Sequence, residues 1–94
     1  MKYFDWNKEK NKILEDTRGV SFEDIISAIE QGKLKDRMRH PNVDKYPNQF
    51  IFYVEIKNYI YAVPFVVDDK VIFLKTIYPD RNATMKYLGG NNEQ

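Results

Sequence analysis

The apolar positions of this chain change their period at Gly32. Before it they recur at helical spacing. The stretch "DWNKEKNKILEDTRG" predicts a first helix, with Trp6, Ile13 and Leu14 on one side and Gly19 as its stop. Asp5 or Asn7 is placed to cap its start. "VSFEDI" then carries a capping box, Ser21 with Asp24 three residues on, and Val20 and Ile25 stand where a hydrophobic staple would. Phe22, Ile25, Ile26 and Ile29 form an apolar stripe, so a second helix is predicted over 21–31. "KYF", ahead of both helices, reads as a short strand.

After Gly32 the period becomes two, the signature of strands. Residues 33–39 predict a strand, and "HPNVDKYPNQ" a loop with two prolines. In "FIFYVEIK" (50–57) Phe50, Phe52, Val54 and Ile56 face one way, and Ile51, Tyr53, Glu55 and Lys57 the other. "YIYAVPFVV" (59–67) is apolar on both faces, as a central strand is. Pro64 inside it lacks an N–H, which predicts a bulge or local break. Asp68-Asp69-Lys70 is a turn, 71–78 a further strand, "DRNATMKYL" a short helical turn, and 89–94 a frayed tail. The order predicts an α+β domain over 1–88. Two N-terminal helices pack on one face of a three- to four-stranded antiparallel sheet, with a short C-terminal helical turn.

Composition narrows the chemistry. A chain of 94 residues suits one domain with a modest core. The formal charge is +1, so an anionic partner has to be recognised by a local patch and not by the global field. There is no cysteine, which excludes disulfides and thiolate zinc sites, and one histidine, which argues against a conventional metal centre; no cofactor is expected. No apolar run approaches the roughly 20 residues of a membrane span, and no leader pattern is seen. A cytoplasmic protein without membrane contact is expected.

The basic residues are unevenly placed. In "KLKDRMRH" Lys33, Lys35, Arg37 and Arg39 take alternate positions, and on a strand they share a face. Such a row would neutralise RNA phosphates. It would equally serve to keep an edge strand from pairing with another molecule.

Three blocks together resemble the BrnT-type toxins of bacterial type II toxin–antitoxin systems. They are Phe4, Asp5 and Trp6 with Lys10 and Asn11; Gly19 to Asp24; and Arg81, Ala83 and Thr84 after a late strand. The likeness spans about residues 3–88. Where the family usually carries a histidine before G-V-S-F, this chain has Arg18. The resemblance implies a RelE-like fold and a metal-independent ribonuclease that stops translation by cutting mRNA, free or on the ribosome. It also implies a cognate antitoxin that blocks the toxin, and contact with DNA only through that antitoxin.

RNA cleavage needs a base for the 2′-hydroxyl, a charge to stabilise the phosphorane and an acid for the leaving oxygen. Arg81 follows a strand end and a turn and matches the family's late arginine; its planar fork suits a phosphate. Lys75 interrupts the apolar run "VIFLKTI" and must reach water or a ligand. Glu55 is a candidate base, or a cross-strand partner of Lys75 or Arg37. His40, at a strand-to-loop junction, has the side chain whose ordinary pKa suits acid–base work. Lys35, Arg37 and Arg39 are candidates for RNA phosphates, and Tyr78 and Tyr87 for base stacking. A different class of function fits the same residues: a non-catalytic protein-binding module built on the toxin fold.

Overall fold

The computed structural model describes residues 2–89; of the expected tail over 89–94, residues 90–94 lie outside the described residues. Strand β1 (Tyr3–Trp6) leads into helices α1 (Lys8–Arg18) and α2 (Phe22–Glu30). Strands β2 (Leu34–Arg39), β3 (Gln49–Ile56), β4 (Tyr59–Val67), β5 (Val71–Leu74) and β6 (Tyr78–Pro79) follow. The short helix α3 (Arg81–Thr84) runs into a π-helical turn, Met85–Gly89. The fold class is α+β as expected, but the sheet is larger and mixed. Among the described residues it has six strands in the order β1-β5-β4-β3-β2, with β6 also on β4.

The extra strand comes from the N-terminus. "YFDW" pairs in parallel with β5, Tyr3 opposite Val71 and Trp6 opposite Leu74. Trp6 therefore belongs to a strand and not to the first helix, and its ring packs 5.8 Å from that of Phe22. Asn7 is the cap of α1, its side chain accepting the Lys10 N–H at 2.9 Å. Ile13, expected on the buried side of α1, is 54% exposed, and Leu14 alone of that helix is buried. In α2 the capping box forms in both directions, Ser21 Oγ accepting from Asp24 N and Asp24 Oδ2 from Ser21 N. Phe22 and Ile25 are fully buried, and Ile26 and Ile29 pack on the same core. Each such buried side chain contributes roughly 1.5–3 kcal/mol.

Paired residues in a sheet share a face. Phe50, Phe52 and Val54 of β3 and Val63 and Phe65 of β4 face the helices and join Leu14, Phe22, Ile25 and Ala28 in one core. Ile60 and Ala62 of β4 face the other way and are just as buried, because α3, led by the buried Ala83, covers them. The second face of the sheet is thus partly roofed by the C-terminal segment.

Pro64 does not bulge β4. The ladder to β3 continues through it, Ile51 opposite Pro64. The break lies in the neighbouring strand. Pro64 presents its carbonyl to that side, where it accepts the Lys75 N–H at 2.8 Å, and has no N–H to offer beside it. The strand expected over 71–78 accordingly divides into β5 and β6 around this point. Among the described residues no helix is long and apolar enough to cross a membrane.

Candidate functional site

The alternating cations of β2 do not form one row. Leu34 pairs with Val54 and Asp36 with Tyr53, adjacent residues of β3, so Lys35 is an extra residue in a β-bulge. A bulge reverses the alternation, and the expected stripe is split by it. Lys35 keeps to the second face of the sheet. Arg37 and Arg39, opposite Phe52 and Phe50, emerge on the helix-side face. Their guanidinium carbons lie 5.3 and 5.7 Å from the Phe50 ring, and Arg39 also donates to the Pro47 carbonyl at 3.1 Å.

Glu55 ion-pairs with Lys35 at 3.3 Å, the two side chains being 15% and 34% exposed. Its partner is therefore neither Lys75 nor Arg37. Glu55 sits opposite Ile60, and Lys75 lies level with Pro64 two strands away. Strand spacings put their backbones about 16 Å apart. His40 lies at the far end of β3, where its N–H donates to Gln49, roughly 20 Å along the strand from Glu55. Its Nδ1 accepts the Asn42 N–H at 3.0 Å and its ring packs 4.4 Å from Tyr46, so it organises the loop after β2. Lys75 is exposed, with its ammonium 5.8 Å from the Phe73 ring. The four residues expected to share catalysis are spread over the sheet.

The second face holds a tighter cluster. Asp36, Tyr53, Ala62 and Tyr78 lie side by side across β2, β3, β4 and β6. The small Ala62 makes a trough between the two tyrosines, and α3, with its buried Ala83, fills the floor of it. Tyr87, from the C-terminal turn, closes one end, its ring 6.0 Å from Tyr53 and its hydroxyl donating to Asp36 Oδ2 at 2.5 Å. A shallow cavity of about 310 Å³ opens here, lined by Met38, Tyr53, Asp80, Asn82, Ala83, Lys86 and Tyr87. The Tyr87 hydroxyl pKa is pushed up to about 12, chiefly by its bond to Asp36, while that bond holds the Asp36 carboxyl below its ordinary range. Burial, then the nearby Asp80, raises Tyr53.

Arg81 opens α3 at the border of this cluster. Asp80 caps the helix, its side chain accepting the Ala83 N–H at 2.9 Å, and the Asp80 N–H donates to the Ile60 carbonyl. Ile60 is also the register partner of Glu55. The backbones of Asp80 and Glu55 are thus at one level of the sheet, about 10 Å apart by two strand spacings, and Arg81 follows Asp80 as the first residue of α3. Arg81 is exposed, and among the described residues its guanidinium has no ion-pair or hydrogen-bond partner.

Asp36, Tyr53, Asp80 and Lys86 were not singled out by the sequence patterns. A carboxylate inside a basic strand was the one available signal for Asp36; the others come together only through the return of the C-terminal segment over β4. No family model, no characterised protein and no solved structure matches this chain.

Proposed function

We propose that the protein is a ribonuclease toxin of the BrnT type, cutting mRNA without a metal and held inactive by a cognate antitoxin. The observation that carries this reading is the uncommitted, exposed Arg81 at the start of α3, next in sequence to Asp80, which lines the cavity with Tyr53 and Tyr87. Tyrosine faces stack on unpaired bases regardless of sequence, and an arginine fork holds the adjoining phosphate. Glu55, level with Asp80 and braced by Lys35, takes the 2′-hydroxyl proton. Arg81 stabilises the charge that develops on the phosphorane, and the leaving 5′-oxygen takes its proton from water. Lys75 and Lys86 act as point charges along the strand of RNA. His40 is too far along β3 to serve the same phosphate. The RelE-like arrangement, with helices on one face and the C-terminal segment beside an RNA-binding second face, belongs to the same proposal. So does the antitoxin, which would cover Lys35, Lys75 and Arg81 with acidic side chains and alone contact DNA.

A second reading is a protein-binding module without catalysis. It is favoured by the outer strand β2, which leaves Leu34 and Met38 37% and 44% exposed beside its cations. Such an edge suits an added strand from a partner.

Inducible expression with a growth readout, followed by RNA cleavage in the presence of a chelator, separates the two. The wild type is expected to arrest growth and cut RNA. Arg81→Ala is expected to cut at least tenfold more slowly, about 1.4 kcal/mol in the barrier, with an unchanged melting midpoint. A wild type that cuts nothing, with or without ribosomes, leaves the binding module as the function.

A further inference from the structure

A second cavity lies on the other side of the sheet, away from Arg81 and the tyrosine trough. Its volume is about 460 Å³, within the range of small-ligand sites. The end of α1, the face of α2 and the β3–β4 hairpin enclose it. Three cations line it from three separate elements: Arg18 at the end of α1, Lys33 after α2 and Lys57 in the hairpin turn. None of the three is ion-paired among the described residues. Two carboxylates line it as well, and among the described residues only Glu55 is neutralised by an ion pair. Asp24 accepts the Ser21 N–H in the capping box, and Glu55 holds Lys35. The hydroxyl of Ser27 accepts from the Gln31 side chain and keeps its own proton to donate. Ile56 and Tyr61 give the cavity an apolar and aromatic wall.

The hairpin makes this convergence possible. Lys57 and Asn58 both have positive φ, 54° and 65°, in a two-residue turn. That tight turn keeps Lys57 at the rim. Gly19, with φ 72°, ends α1, and a side chain added to it would meet open space, so the cavity reaches its backbone.

We propose that this groove binds the phosphate of a nucleotide, with the phosphate held by Arg18, Lys33 and Lys57 and the base against Tyr61. Three cations against the one carboxylate without an ion pair, Asp24, leave a net positive potential in a half-enclosed space that the chain's overall charge does not reveal. A phosphate dianion meets all three, and the aromatic wall favours a planar ring over an aliphatic ester. The phosphate contacts use neither Arg81 nor the tyrosine trough, and the lining shares only Glu55 with the ribonuclease reading. The ligand is either a free mononucleotide or the phosphorylated end of an RNA chain.

Titration of the labelled full chain with adenosine 5′-monophosphate, with adenosine, and with a short oligoadenylate bearing or lacking a 5′-phosphate tests this by amide chemical shifts. The monophosphate is expected to move the amides of Gly19, Val20, Lys33 and Lys57 at up to millimolar concentration, and adenosine to leave them in place. Arg18→Gln combined with Lys33→Gln is expected to weaken binding at least tenfold with an unchanged melting midpoint. Lys57→Asn, which tolerates the left-handed turn, gives the same direction of change should the double variant not fold. Tighter binding of the phosphorylated oligonucleotide than of the mononucleotide identifies an RNA end as the ligand, and the reverse a free nucleotide. Equal binding of adenosine and its monophosphate, no shifts at these amides with either phosphate, or unchanged affinity in the variants overturns the proposal.

Discussion

The side-chain carbonyl of Asn11, in the first half of α1, accepts the backbone N–H of Phe22, the first residue of α2, at 2.7 Å. The first N–H groups of a helix have no partner within it. Ser21 satisfies that of Asp24, and Asn11 reaches across the corner to satisfy that of Phe22. The amide nitrogen of Asn11 donates in turn to Glu23 Oε1 at 2.8 Å, which is the main reason the Glu23 carboxyl lies below its ordinary range. One side chain thereby fixes the angle between the two helices.

Removing it leaves a partly buried N–H unsatisfied. Asn11→Ala is expected to lower stability by about 1–2 kcal/mol, read as a shift in the urea midpoint at constant slope. Asn11→Asp keeps the acceptor but faces Glu23 with a like charge. Its loss should be greater at neutral pH than below the carboxylate range. Equal stability of Asn11→Ala and wild type would remove this bond from the account.

Thr84 plays the matching part at the other end. Its hydroxyl accepts the Ile60 N–H at 2.9 Å and donates to the Asp80 carbonyl at 2.8 Å. Along this length of β4 those bonds stand in for a neighbouring strand. Thr84→Val preserves shape and leaves Ile60 without an acceptor, for an expected loss of about 1–3 kcal/mol. Thr84→Ser should retain most of the stability. A valine variant as stable as the serine one would show that water replaces the hydroxyl.

The bond from Tyr87 to Asp36 predicts a pH window. Tyr87 ionises only near 12, above its ordinary value of 10, so the stability it lends is whole below pH 10 and disappears as pH rises toward 12. Asp36 is shifted down, so its share is whole above the ordinary carboxylate value of 3.8 and is lost as pH falls through the lowered one. Site-resolved titration of the tyrosine rings should show Tyr87 as a high-pH outlier that returns toward 10 in Asp36→Ala. A Tyr87 titration unaffected by that substitution would sever the link between the C-terminal turn and β2.

Glu55 separates structure from chemistry. Its ion pair with Lys35 lies near the surface, where such pairs contribute about 0–1 kcal/mol. Glu55→Gln is therefore expected to melt close to wild type and to lose cleavage by more than tenfold. A variant that cuts RNA at the wild-type rate assigns Glu55 to the bulge alone.

Much of the frame was legible in the residue pattern, and the gaps have physical causes. Ser21, Asp24 and the stripe of α2 are local signals that held, whereas the helical spacing of Trp6, Ile13 and Leu14 misplaced the first two. The alternation of Phe50, Phe52 and Val54 placed them on the core side without error, because a strand paired on both edges has one register. The basic run failed for the opposite reason. On the outermost strand one inserted residue, Lys35, turned half the run over, and nothing in "KLKDRMRH" marks where a bulge falls. Pro64 announced a defect correctly but on the wrong strand, since a missing N–H is felt by the neighbour that would have accepted it. The trough of Tyr53, Tyr78 and Tyr87 needs residues from β3, β6 and the final turn, and no spacing along one segment reports such a meeting.

The parallel pairing of β1 with β5 has a consequence for synthesis. β1 leaves the ribosome well before β5, yet its register partners run from Val71 to Leu74. A closure over that many residues is costly in entropy and slow compared with hairpin formation. The hairpins of β3, β4 and β5 can form as they emerge, but the nascent chain keeps an open edge on β5 until β1 returns to fill it. Trp6 travels with β1 and comes to rest 5.8 Å from Phe22. The chain's single tryptophan is therefore a built-in reporter of the last edge to close.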